Sequence, residues 1–426
     1  MRSMNFISEL KWRGMLHDVM PGTEEELAKG MMKGYIGFDP TASSLGVGNM
    51  VQVMTLLHFQ HCGHKPIALV GGATGMVGDP SGKSAERNLL SEVELKFNQD
   101  SQRKQLEKFL DFNCGATSAE IVNNYDWFKG MGFLEFIRDV GKHISVNYMM
   151  AKDSVKSRLE SGMSFTEFSY QLVQGFDFYH LWKNQGVMLQ MGGSDQWGNI
   201  VTGTELIRRK GGGQAFALTT PLIKKADGTK FGKTEGGNLW LDPQRTSPYK
   251  FYQFWLNASD ADVSNYIRIF TLKTQDEIIA LESEHAKDLA KRILQKELAR
   301  DITIRVHSEA DFQSAVAASE ILFGKSTDED LRKFDEQTLL DIFEGVPQGV
   351  ILKSEIETGM SISEVMVKSG FVSSNGEAKR ALQEGSISIN KAKADSARTL
   401  TSSDILSGNL ILLQRGKKNY FLVKTE

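Results

Sequence analysis

Three short apolar runs in this chain stop abruptly at polar or glycine-rich turns. Tyr35-Ile36-Gly37-Phe38 ends at Asp39-Pro40-Thr41, and glycines follow at positions 46 and 48, where a helix should begin. Pro66 to Val70 and Val187 to Met191 read as buried strands, and each runs straight into a glycine pair. A strand, a turn and a helix start make a geometry in which backbone N–H groups hold phosphate, although glycine serves any tight turn as well. From Ile36 to about Leu222 strand and helix candidates alternate. Such alternation predicts an α/β domain with a Rossmann-like, doubly wound parallel sheet and ligands at the carboxyl ends of its strands.

A helix is expected from Ser164-Phe165-Thr166-Glu167, which has capping-box form. Phe165, Phe168, Leu172, Phe176 and Tyr179 recur at spacings of three and four and form its core stripe. Tyr170, Gln174 and Asp177 fall on the opposite face, either solvated or lining a pocket for a polar small molecule. Around Ile223 to Gly237 the chain becomes a polar loop of Lys, Asp, Gly and Thr. Beyond Pro248 it turns helical to about Asp301, and Gln313 to Glu355 reads as a further helical part or linker.

Composition bounds the reading. The 426 residues, 40% hydrophobic and 24% charged, suit two or three ordinary globular domains. No run has the length of a membrane span, Met1 to Arg13 lacks signal-peptide character, and two cysteines give no disulfide framework, so a cytoplasmic location is expected. A net charge of −3 excludes a uniformly basic coat. Residues 370–426, however, hold nine cations against five acids, a local excess where a polyanion would land unless it is simply a solvated surface.

Gly71 to Ser84 almost spells a P-loop, but Val77 stands where the first glycine is required. Lys83 and Arg87, four apart, could flank a phosphate or be plain surface charges. Gly192-Gly193-Ser194-Asp195-Gln196 offers a glycine turn and polar groups for a nucleotide, with Asp195 accepting hydrogens. Lys230-Phe231-Gly232-Lys233-Thr234 suits a lid over a triphosphate, or a solvated linker. His58, His61, Cys62 and His64 crowd together, but they mark a helix end, and no metal site is expected.

Taken in order, these segments resemble bacterial tyrosyl-tRNA synthetases, members of the class I aminoacyl-tRNA synthetases. The resemblance rests on Asp39-Pro40-Thr41-Ala42, Gly71 to Gly75, Gly78 to Lys83, Gly193 to Asn199 and Lys230 to Thr234, which looks like the family's KMSKS signature. Gly370 to Leu382 looks like the start of an S4-type RNA-binding domain. The resemblance implies a catalytic domain over 1–222, a KMSKS-type loop and linker over 223–247, a helical anticodon-arm domain over 248–355 and an S4-like α+β domain over 356–426. Tyr35 and Asp177 would hold the phenol of L-tyrosine, and Asp79, Tyr170 and Gln174 its ammonium group. Gly37, Asp39, Thr41, Gly48, Asn49, Gly193, Asp195 and Gln196 would surround ATP. Thr41, Lys83, Arg87, Lys230 and Lys233 would serve the phosphates, with Mg²⁺ on the pyrophosphate. Tyrosine–tRNA ligation by a homodimer acting on tRNA(Tyr) is the activity implied. A tryptophan-specific sister enzyme and a non-catalytic RNA-binding paralogue are the alternatives. One departure stands out: the family's His-Ile-Gly-His is Gly46-Val47-Gly48-Asn49 in this chain.

Overall fold

Six strands build the sheet that organises the first part of the chain: β1 (Asp18–Val19), β2 (Lys33–Phe38), β3 (Lys65–Val70), β4 (Glu120–Asn123), β5 (Val187–Gly193) and β6 (Phe216–Thr220). Their order is β1-β6-β5-β2-β3-β4. Every neighbouring pair is parallel except β1 with β6. The chain therefore leaves β2 toward β3 and β4, then returns to lay β5 on β2's other side. Strand order reverses between β2 and β5, and a crevice opens there at their carboxyl ends, Phe38 and Gly193. Pro66 to Val70 are all buried, as expected for a strand covered on both faces. The computed structural model describes residues 5–81, 90–159, 162–234, 237–323, 327–416 and 419–426.

The helix Phe165–Gln185 forms where the cap signals place it. Ser164 Oγ accepts from Glu167 N at 3.2 Å, and Glu167 Oε2 accepts from Ser164 N at 3.4 Å. Leu172, Phe176, Tyr179 and Leu181 pack with Tyr35, Ile67, Leu69 and Val187 in one apolar cluster. Each such side chain contributes about 1.5–3 kcal/mol on burial. Phe165 departs from the expected stripe: it is 64% exposed. It opens the helix, and contact with the cluster starts at Phe168.

By packing, the chain forms two units. One comprises Met1–Asp242 with Leu256–Val306, the other Pro243–Trp255 with His307–Glu426. The second contains a five-stranded sheet in the order Ala392–Lys393, Ile387–Ile389, Leu410–Arg415, Asn419–Thr425, Gln348–Ile351, with only the last pairing parallel. Val365, Met366, Ala378 and Ala381 of two short helices pack against Ile387, Ile389, Ile411 and Leu413 of that sheet. Among the described residues no helix is long and apolar enough to cross a membrane.

Candidate active site

The crevice at the strand reversal is a cavity of about 280 Å³. Tyr35, Gly37, Asp39, Thr41, Gly48, Asn49, Asp79, Tyr170, Gln174, Asp177, Gly193, Asp195 and Gln196, each singled out from the sequence, all line it. Lys230 and Lys233 do not line it; both are exposed on the neighbouring loop. Lys83 and Arg87 lie outside the described residues.

At one end Asp177 is almost fully buried, 1% exposed. Its Oδ2 accepts from Asn124 Nδ2 at 3.0 Å and its Oδ1 from Trp127 Nε1 at 2.9 Å. Burial pushes its pKa up to about 8; the two hydrogen bonds oppose that rise and the charge of Asp39 adds to it. The Tyr35 hydroxyl is raised well above the ordinary phenol value, first by burial and then by Asp177. Among the described residues the Tyr35 hydroxyl, Gln174 Oε1 and Gln190 Oε1 are buried without a hydrogen-bond partner. So is Gln52 Oε1. Leaving such a group unsatisfied costs about 1–3 kcal/mol, so four of them among the residues lining one cavity mark a polar guest.

Further along, three carboxylates converge. Asp39 accepts from Thr74 Oγ1 at 2.9 Å and from the Tyr170 hydroxyl at 3.1 Å. Asp79 accepts from Gln196 Nε2 at 2.8 Å and from Ser81 N at 2.9 Å. Asp195 accepts from Gln196 Nε2 at 3.3 Å. Gly71 makes this packing possible, because a Cβ there would overlap Asp39 Oδ1 and Thr74 Oγ1. A wall of carboxylates suits an ammonium group or ribose hydroxyls.

Gly46 is extended (φ −91°) and bridges Trp240, while its N–H donates to Asn49 Oδ1 at 3.0 Å. The Asn49 oxygen is therefore engaged within its own turn, and its amide nitrogen is the group left to donate. The helix Met50–His61 ends with His58 buried and its pKa lowered, by burial before all else. Sequence reasoning missed Thr74, Gln190, Asn124 and Trp127. The last two follow β4, whose four residues are all half-buried and so show no alternation to read.

A Rossmann-like sheet with a polar cavity at its strand reversal and a lysine loop beside it defines a nucleotide-using α/β enzyme, and comparison with known proteins narrows this. The family model of class I tRNA synthetases (W and Y) matches residues 27–324, and the tyrosine–tRNA ligase SYY-like C-terminal domain matches residues 338–423. The tyrosine–tRNA ligase of Cytophaga hutchinsonii is 63% identical over 423 residues, 99% of each chain. That of Porphyromonas gingivalis (strain W83) is 60% identical over 430 residues, 99% of this chain and all of the other. A C-terminally truncated mitochondrial tyrosyl-tRNA synthetase from Aspergillus nidulans superposes with a TM-score of 0.68 at 30% identity, over 75% of this chain and 94% of that one. The chain belongs to the tyrosine–tRNA ligases. Its substrates are tyrosine, ATP and tRNA(Tyr), and its fold is the α/β fold of class I synthetases followed by a C-terminal α+β domain.

Proposed function

We propose that the cavity binds tyrosine and ATP end to end. Tyr35 and Asp177 take the phenol, and Asp79, Tyr170 and Gln174 take the ammonium group. Gly37, Asp39, Thr41, Gly48, Asn49, Gly193, Asp195 and Gln196 surround the nucleotide. Thr41, Lys83, Arg87, Lys230 and Lys233 meet the phosphates. The observation that carries this reading is the buried pairing at one end: Asp177 held by Asn124 and Trp127, beside a Tyr35 hydroxyl that lacks a partner. A phenol completes that set. Phenylalanine would leave it open at about 1–3 kcal/mol per orphaned group, and an indole would place its N–H elsewhere.

In the first step the tyrosine carboxylate attacks the α-phosphorus of ATP and pyrophosphate leaves; a terminal tRNA hydroxyl then takes the tyrosyl group. The attacking carboxylate is already ionised, so no general base is needed. Alignment and cations on the leaving pyrophosphate lower the barrier. Mg²⁺ bound to the ATP phosphates would supply further charge neutralisation. Without a histidine at Gly46, the lysines and Arg87 carry more of that neutralisation.

The four-part division at 1–222, 223–247, 248–355 and 356–426 is kept with its functional meaning: catalysis, KMSKS-type loop, anticodon-arm helices and an S4-like RNA-binding part. A cytoplasmic homodimer is proposed as well. Support comes from Phe133, Leu134 and Val146, large apolar side chains exposed on two neighbouring helices, which a second copy would cover. Pyrophosphate exchange with tyrosine, tryptophan and phenylalanine, in the native enzyme and in Tyr35→Phe, tests the pocket. Equal exchange with tyrosine and phenylalanine would sink the phenol assignment. Sedimentation analysis tests the dimer.

A further inference from the structure

The loop that carries Lys230 and Lys233 is exposed at Thr229, Lys230 and Lys233, yet Phe231 between them is only 9% exposed. Its ring stacks on Phe270 with centroids 5.3 Å apart and planes 13° apart, and tilts against Tyr266 at 5.0 Å. Both partners belong to the helix Asp260–Phe270. A second tie reaches the same helix: Ala226 N donates to Asp262 Oδ1 at 2.8 Å.

That helix is itself fixed at its C-terminal end, next to Phe270. The Arg13 guanidinium, 2% exposed, donates to the carbonyls of Arg268, Thr271 and Lys273 at 2.5, 3.0 and 2.7 Å and pairs with Glu9 at 2.7 Å. On its other side the loop is tied to the ATP end of the cavity. Leu239 N donates to Gly232 O at 3.0 Å, Val47 N to Leu239 O at 2.9 Å, and Leu241 N to Leu45 O at 2.9 Å. Gly232 turns with φ +75°, and a Cβ there would stand 3.2 Å from Gly48 N.

We propose that Phe231 is a positioning residue for adenylate formation: by seating its ring against Phe270 and Tyr266, it sets where the ammonium groups of Lys230 and Lys233 stand relative to the ATP end of the cavity. A flexible loop bearing two lysines would sample many placements. An aromatic anchor between them removes most of that freedom while leaving both cations in water until phosphate arrives. Phe231 touches no substrate in this account; it acts through the lysines. The proposal rests on the reading that those lysines meet the phosphates.

The experiment is a double-mutant cycle in the full-length enzyme. Pyrophosphate-exchange kcat and KM for ATP are measured for Phe231→Ala, Phe231→Leu, Lys233→Ala and Phe231→Ala combined with Lys233→Ala, with tyrosine Kd by equilibrium dialysis. Phe231→Ala is expected to lower kcat about tenfold or more with tyrosine Kd unchanged, and Phe231→Leu to recover most of the loss. In the Lys233→Ala background the further loss should shrink to less than about threefold. Should Phe231→Ala fail to fold, Phe270→Ala carries the same expectations. Normal exchange by Lys233→Ala overturns the lysine-loop reading and this proposal with it. A large loss in Lys233→Ala, combined with a Phe231→Ala that is normal, multiplicative or weakened in tyrosine affinity, overturns the Phe231 proposal alone.

Discussion

The two ends of the cavity are built on opposite electrostatic plans. At the proposed phenol end Asp177, Asn124 and Tyr35 are buried, with Trp127 half-buried beside them. Beside the opposite end, outside the cavity lining, the proposed phosphate-binding Lys230 and Lys233 are exposed, on a loop fixed through its backbone and Phe231. Desolvated dipoles discriminate, because a wrong guest leaves them unpaired. Solvated cations discriminate little, but they can follow charge as it develops on a leaving group. On the proposed reading, selection and rate enhancement would lie in different dielectric surroundings.

The largest test of that contrast is Lys233→Ala. Adenylate formation should fall by about 10²–10³-fold, with tyrosine affinity unchanged; single-turnover kinetics and equilibrium dialysis read the two separately. A parallel fall in tyrosine affinity would break the division.

Next comes pH. The folded state holds the Asp177 carboxyl at about 8, whereas an unfolded chain releases that proton near the ordinary carboxylate value. Between those values the native state binds the extra proton, so this group's contribution to stability falls as pH rises, the reverse of a salt-bridged carboxylate. Asp177→Asn has no proton to lose. Its stability relative to the native enzyme should climb by about 2–3 kcal/mol between about pH 5 and pH 7, as measured by urea unfolding at each pH. A flat difference would show that Asp177 is already ionised in the fold.

A smaller effect is expected for Trp127→Phe, which keeps the ring and removes one donor to Asp177. Tyrosine should bind about tenfold more weakly while KM for ATP holds, a loss of about 1–1.5 kcal/mol. The smallest concerns the second unit. Lys379→Glu with Arg380→Glu should slow tRNA charging a few-fold, less so at higher salt, and leave pyrophosphate exchange untouched.

Much of the first unit was legible because β2, β3 and β5 end in turns that periodicity marks plainly, and because Ser164 and Glu167 announce their helix. The inward direction of Tyr170, Gln174 and Asp177 was not legible from period alone, since an i, i+4, i+7 face is the same pattern in water or in a pocket. Asn124 and Trp127 escaped because they follow a short strand whose residues are all half-buried. Several of the C-terminal cations counted from the sequence are engaged within the fold. Arg415 pairs with Glu377 at 2.9 Å, Arg398 with Asp404 at 2.5 Å, and Lys391 donates to Ile321 O and the Tyr420 hydroxyl. Lys379 and Arg380 stay exposed on their helix, while Lys417 and Lys418 lie outside the described residues.

The hydrogen bonds that tie Leu45 and Val47 to Leu239 and Leu241 join segments far apart in the chain. During synthesis the strands around Tyr35 and Gln190 leave the ribosome well before Leu239 does. A nascent chain can thus collapse around Tyr35 and Gln190 early, while the turn at Leu45 to Val47 stays unfinished until the later segment emerges and closes on Gly46.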